Sequence, residues 1–432
     1  SMNNYYTFQN LKAGLFVTII LLATINTVAQ GPSEQSYVTK VTPPSPNAAA
    51  LAKYGNIPVS YYTGIPNIDI PLYVAQSGEI QLPISLSYHA GGVKINEEAG
   101  WTGLGWTLNA GGVVSRSIND KDDLTATYFT TQVPEMTQRT TFSTEVFGSA
   151  FNYPNKYYGQ NGAVYDWNAA TVGNLIGYDL EADQFNFNFS GRSGKFSFTR
   201  AQQVIQEKKS DLLIEGTSAG FQITDENGIQ YIFAHAEMTD NGTQVLPTSW
   251  YLTKIYSPKG DSISFNYFTE APASFIPRYS EIYRKGCNAP VHSFSYSTTA
   301  HQIKYLTSIT FRNGHVDFEY ENVREDMQVV TAGRKLMSIK VYNNSETLPF
   351  KRFDFTYSYF NNTLGYQFKR LKLDKVTEKG SDGSSLPAHD FVYEDVPASL
   401  ASISGKNSFS VDHWGYFNGA PNTGLTPGYV GL

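Results

Sequence analysis

The pentapeptide GTSAG, Gly216 to Gly220, matches the G-x-S-x-G pattern of a nucleophile elbow, in which a sharp strand-to-helix turn presents a serine Oγ to a general base. With His235 and several aspartates downstream, the residue types of a serine hydrolase are present. The elbow needs a helix after the serine. Here strand-like DLLIE precedes and strand-like FQIT follows, so the context favours a hairpin turn. Glu97 and Glu98 are an acid–base pair by type only, because neighbours on a strand point to opposite faces and cannot share a substrate. The 7 histidines are scattered, and none has a second His, Cys or carboxylate at the helical spacing of a metal pair. In NDKDDL, Asp120, Asp122 and Asp123 offer oxygen ligands to calcium, yet the glycine and distal glutamate of an EF-hand are missing; a solvated acidic turn is the favoured reading. His413, Trp414, Tyr416 and Phe417 have the flat apolar faces of a sugar-stacking platform, and they serve equally as a last strand packed on a sheet, which is favoured. No catalytic residue, cofactor site or metal site is expected.

The elements that must carry these residues are strands. In EIQLPISLSY, Ile80, Leu82, Ile84, Leu86 and Tyr88 alternate with Gln81, Pro83, Ser85 and Ser87, which gives one apolar and one polar face. Pro83 has no N–H for a ladder and predicts an edge position or a bulge. Ile68, Ile70 and Leu72 alternate likewise, and QSG between the two runs predicts a hairpin. The stretch that follows, His89 to Gly112, is dense in glycine and contains Trp101 and Trp106. Taken as a strand, WTGLGWTL puts Leu104, Trp106 and Leu108 on one face and leaves the other bare at Gly103 and Gly105, so a backbone or a large ring can approach closely. Gly91, Gly92, Gly111 and Gly112 then mark turns or bulges at its ends. These glycines are expected to be architectural.

Aromatic residues make up 14% of the 432 positions and charged residues only 16%, a bias that suits pleated sheets better than helices. The net charge is -6 and no dense Lys/Arg run occurs, which argues against a nucleic-acid partner. Lys12, the apolar run AGLFVTIILLA and the small residues before Gln30 have the pattern of a cleavable export signal, shorter than the ~20 residues of a membrane span. No span is expected after its removal. Cys287 is the single cysteine, so no internal disulfide can form. A Pro- and Ser-rich tether follows, then a short helix AAALAKY capped by Asn47 and stopped by Gly55.

The runs NIPVSYYTGIPNIDIPLY and LPISLSYHAGGVKINEEAGWTGLGWTLNAGGVVSRSI, with FNFNFSGRSGKFSFT, FQITDENGIQYIFAHAE and DHWGYFNG at Asp412 to Gly419 further on, resemble the N-terminal region of large secreted bacterial proteins with Rhs (YD) repeats. The resemblance implies the leading segment of a β-hairpin shell that in relatives encloses a C-terminal toxin or effector, with Trp414 and Gly415 joining the glycine–tryptophan block as its signature. The partners it implies are downstream repeats and cargo of the same polypeptide. The tyrosine–aspartate array and self-cleaving aspartate core of that family are not present in these residues.

The second half repeats independently of any family. LTKIYSPKGDSISFNY is echoed by LTSITFRNGHVDFEY, and LMSIKVYNN with FDFTY and LKLDKVTEKGSDG with HDFVYED are looser copies. Each predicts a hairpin, and lone hairpins are marginal in water, so the units should join into a curved wall. The expected fold is all-β: an export signal over 1–29, a tether with its helix over 30–55, a sandwich-like or irregular β domain over 56–245 with an insertion near 124–174, a hairpin region over 246–395, and the start of a further segment over 396–432. The expected function is a non-enzymatic shell segment outside the cytoplasm. An adhesin or glycan-binding module, presenting its loops to a cell-surface glycan or protein, and a hydrolase are the rival classes.

Overall fold

The computed structural model describes residues 64–119, 122–124, 157–158, 164–165, 182–199, 201–274, 278–285, 290–297, 300–328, 333–344, 346–361, 365–393, 405–412, 414–420 and 422. All of these lie in one unit, Pro58–Leu432. The export signal, the tether with its helix, Asp120, Cys287, His413 and most of the 124–174 insertion fall outside the described residues.

Among the described residues every helix-or-strand element is a strand, as the alternating pattern and the aromatic bias predict. The first group is β1 (Asn67–Ser77), β2 (Ile80–His89), β3 (Trp106–Asn109), β4 (Gly112–Ser117), β5 (Tyr157–Tyr158), β6 (Val164–Tyr165), β7 (Gln184–Phe189) and β8 (Arg192–Phe198). Next come β9 (Val204–Gln206), β10 (Leu213–Thr217), β11 (Gly220–Thr224), β12 (Gln230–Asp240), β13 (Val245–Tyr256), β14 (Ser262–Thr269), β15 (Ala273–Ser274) and β16 (Arg278–Lys285). The last are β17 (Pro290–Ser297), β18 (Ala300–His301), β19 (Lys304–Phe311), β20 (Gly314–Glu321), β21 (Lys335–Asn343), β22 (Lys351–Phe360), β23 (Arg370–Gly380) and β24 (His389–Asp390).

The strands β1, β2 and β3 form a small antiparallel sheet, and 17 others form a large one. The large sheet forks at β13. One side of β13 pairs with β12 from Val245 to Tyr256. Its other side pairs first with β4, Ser249 opposite Ser115, and then with β14, Lys254 opposite Ser264. From the fork one arm runs through β4, β7, β8 and β9. The other runs through β14, β19, β20, β21, β22, β23 and β24, each antiparallel to the next. The repeated sequence units are the hairpins of this second arm. The sheet is continuous across residue 245, because β13 begins there and is held on both sides.

The two sheets share one core. Ile70, Leu82, Ile84 and Leu86 of the small sheet bury with Leu252, Ile263, Ile309, Ile339 and Leu373 of the large one, the two-layer arrangement that lets each sheet hide its apolar face. The first arm joins β11 and β13 in an aromatic cluster: the ring of Phe185 stacks on Phe196 at 5.1 Å, and Phe221 meets Trp250 edge-on at 4.9 Å. Ser190 and Gly191, at φ 46° and 75°, supply the two positive-φ positions of the tight β7–β8 turn. Pro83 lies beyond Ser85, the last residue of β2 paired with β3, so the strand has a neighbour on one side only at the proline, the predicted edge position.

Two expectations need correction. WTGLGWTL is not one strand: Trp101 to Gly105 turns, and β3 starts only at Trp106. The reason is backbone conformation, since Gly103 and Gly105 have φ of 100° and 76°, outside anything an extended strand can hold. The acidic turn is not solvated either. Asp122 and Asp123 are buried, and Asp122 pairs with the buried Arg116, which also binds Asp183. The Asp122 carboxylate is thus paired with a guanidinium inside the fold.

Candidate functional site

The glycine–tryptophan loop between β2 and β3 is the point where distant parts of the chain meet. Trp101 stands 5.4 Å from the ring of Tyr305 and 5.7 Å from that of Tyr320, and its carbonyl accepts the Leu336 N–H at 2.9 Å. The next turn lies on β23, where the Leu104 N–H donates to the Leu371 carbonyl at 2.8 Å. A Cβ on Gly103 would stand 3.0 Å from the Leu373 nitrogen, and one on Gly105 would stand 2.7 Å from the Tyr88 ring. These are the close backbone and ring approaches that the bare positions predict, reached through a turn and not a strand. Trp106 then enters the core, 4.5 Å from Phe391, and its indole N–H donates to the Tyr393 hydroxyl at 2.7 Å. Burial pushes that phenol up to about 12.

Buried charge locks the same loop. Arg324 donates to the carbonyls of Ala99 and Gly100 and grips Asp326 through two nitrogens, at 2.9 and 2.7 Å. Burial alone would raise the Asp326 carboxyl; the bonds and charge of Arg324, the charge of Lys406 and the Leu371 N–H together outweigh it and hold it below its usual value. Arg370 donates to the Ile95 carbonyl at 2.6 Å, and Lys406 to Glu98 at 2.6 Å and to the Asp326 carbonyl at 2.8 Å. Burial depresses both cations. Glu97 instead accepts the Lys94 N–H at 3.3 Å, so the two glutamates serve separate partners. Gly415 completes the cluster: its carbonyl accepts the Ile95 N–H at 3.2 Å, and a Cβ on Gly92 would stand 3.2 Å from the Tyr416 ring. A Cβ on Gly91 would meet His89 at 2.9 Å. Trp414 does not pack as a last strand. It is 70% exposed in a turn, while Tyr416 and Phe417 are half-buried.

The hydrolase candidates are not assembled. Ser218 lies in the exposed turn between β10 and β11, and its carbonyl accepts the Trp250 indole N–H at 3.3 Å. His235 stacks on Tyr267 at 5.5 Å, and no hydrogen bond joins it to Ser218. Sequence reasoning missed a polar group beside it. Glu237 accepts the Tyr251 hydroxyl at 2.9 Å, and Lys304 donates to Thr269 at 2.8 Å. Burial raises Glu237 and lowers Lys304 and His235. These residues come from β12, β13, β14 and β19, whose register shifts defeat any spacing rule. Sequence reasoning also missed a cleft of about 570 Å³ between the small sheet and the β7–β8 hairpin, bordered by Gly111 and Gly112, and a smaller one of about 280 Å³ between Trp101 and Tyr305.

No family model and no curated protein matches the chain. Solved structures with a similar course include that of TcdB2-TccC3, 12% identical with a TM-score of 0.39 over 79% of this chain and 17% of that one. The N-terminal domain of effector protein SpvB from Salmonella typhimurium strain LT2 is 12% identical with a TM-score of 0.31, over 76% of this chain and 99% of that one. The Photorhabdus luminescens Tc holotoxin pore is 13% identical with a TM-score of 0.36, over 77% of this chain and 16% of that one. The chain thus spans about a sixth of the TcdB2-TccC3 chain it matches.

Proposed function

We propose that this chain is a non-enzymatic structural segment of an exported Rhs-type protein, forming part of a β shell that encloses or presents a cargo carried on the same polypeptide. The observation that carries this reading is the second arm of the large sheet, in which β14, β19, β20, β21, β22, β23 and β24 form one continuous antiparallel ladder. Such an arm extends by adding hairpins, each covering the edge of the last. The glycine–tryptophan loop fits the same purpose. Its cations are used on carbonyls and carboxylates of the loop itself, which fixes shape. The mechanism is containment: a wall with a packed inner layer excludes solvent and proteases from what lies behind it.

The test is the size and location of the native protein, detected with an antibody to this segment in cell, surface and medium fractions. A species several times larger than 48.0 kDa outside the cytoplasm, with this segment protected from limited proteolysis, is the expected result. A mature product near that mass would remove the shell reading.

A further inference from the structure

The polar face of the small sheet opens on the cleft of about 570 Å³, a size within the roughly 300–1,000 Å³ of small-molecule sites. Alternation along β1, β2 and β3 places short polar side chains side by side there. Asp69 lies opposite Ser87, Ser87 opposite Thr107, and Ser85 opposite Asn109. Ser85 Oγ donates to Asp69 Oδ1 at 2.8 Å, and Asn109 Nδ2 donates to Ser87 Oγ at 3.0 Å, so the floor is held in place. Asn188 and Ser193 face it from the β7–β8 hairpin. Trp101 and Tyr251 contribute half-buried rings to the lining.

The lining selects a ligand class by exclusion. No Lys, Arg or His borders the cleft and Asp69 is its single carboxylate, so a phosphate, sulfate or nucleotide would meet repulsion without a counter-charge. One carboxylate leaves most of the charge of a calcium ion uncompensated. A lipid would bury the remaining donors and acceptors of the hydroxyl and amide floor without offering them bonds. A neutral ring bearing several hydroxyls fits. Its O–H groups donate to Asp69 and exchange bonds with serine, threonine and asparagine, while its C–H faces lie on aromatic rings. We infer that this cleft binds a neutral saccharide unit, through Asp69, Thr107, Asn109 and Asn188 for its hydroxyls and Trp101 and Tyr251 for its apolar faces. This site is independent of the shell reading, because it needs only the fold of the chain and not its length or cargo.

The experiment is saturation-transfer NMR on the intact chain with the methyl glycosides of glucose, galactose, mannose and N-acetylglucosamine, and with sodium sulfate as the anion control. Binding of at least one glycoside is expected. Asp69→Asn keeps an acceptor for Ser85 while removing the charge, and should weaken that binding about tenfold, the loss of one charge-assisted bond. Ser193→Trp, at an exposed position of β8 across the cleft from the small sheet, puts a large ring into the cleft and should abolish it. Near-ultraviolet circular dichroism confirms that both variants keep the native fold. No transfer from any glycoside, sulfate competing for the same site, or binding unchanged in both folded variants would each overturn the assignment.

Discussion

Replacing Gly103 by alanine tests whether the glycine–tryptophan loop is held by close backbone approach. Two costs combine there. An L-residue at φ 100° carries the strain of the left-handed side of the map, about 1–2 kcal/mol. The new methyl would also lie 3.0 Å from the Leu373 nitrogen and 3.4 Å from the Leu371 oxygen, which are strand backbone and cannot rotate aside. Relief requires the turn to lift from β23 and weaken the 2.8 Å Leu104–Leu371 bond, worth a further ~0.5–1.5 kcal/mol. The expected total is about 1.5–3.5 kcal/mol. Gly191→Ala is the control, because its φ of 75° imposes strain while no atom lies within 4 Å of the added carbon; its cost should stop at about 1–2 kcal/mol. Urea unfolding followed by tryptophan fluorescence gives both midpoints, and equal slopes would show that the denatured states are comparable. If Gly103→Ala unfolds at the same urea concentration as Gly191→Ala, the close approach is not what requires glycine at 103.

Trp106→Ala removes a ring that is 5% exposed and leaves the Tyr393 hydroxyl without its donor, so thermal unfolding should show a loss of ~3–5 kcal/mol; Trp414→Ala, at a residue 70% exposed, should cost under about 1 kcal/mol. Arg324→Met leaves Asp326 buried and charged, and denaturant unfolding should register about 3–5 kcal/mol, unlike a change at an exposed ion pair. The acid limb of stability should depend on Asp326: its folded carboxyl titrates below its unfolded value, so its contribution is complete above pH ~4 and is lost as the pH falls through the folded value. Asp326→Asn should lower the neutral plateau and flatten that limb, and an unchanged acid slope in unfolding measured against pH would contradict the pairing.

Strand positions were legible because alternation is a local property. Ile80, Leu82, Ile84 and Leu86 all bury on the face that the period of two assigns. The hairpins of the second arm were legible for the same reason, each carrying its turn residues within the unit. The fork was not, because it depends on β13 meeting β4 across more than a hundred residues, and no pattern in VLPTSWYLTKIY marks which half of the strand takes which neighbour. The clamps on the loop were hidden likewise. Arg324, Arg370 and Lys406 look like ordinary surface cations in sequence, and only the tertiary fold turns them inward onto Ile95, Ala99, Gly100 and Glu98. The acidic turn was misjudged because clustered aspartates are usually hydrated; the partner that buries Asp122 is Arg116, an inward-facing residue of β4.

The glycines that close the fold also border a cleft. The chain passes from the small sheet to the large one between Asn109 and Gly112, where β3 ends and β4 begins. So short a crossover brings β4 against β7, and a Cβ on Gly112 would lie 2.5 Å from that of Phe189. Gly111 stands in the same crossover, where an added Cβ would already touch the Tyr267 hydroxyl at 3.6 Å, so a larger side chain would meet it. Large residues here would separate the sheets; with glycine they dock, but their polar margins meet without filling the space between Asn109 and Asn188. A cleft of this origin has rigid strand walls on both sides, which lowers the cost of ordering them around a ligand. The residue type that serves the architecture therefore also leaves a preformed site beside it.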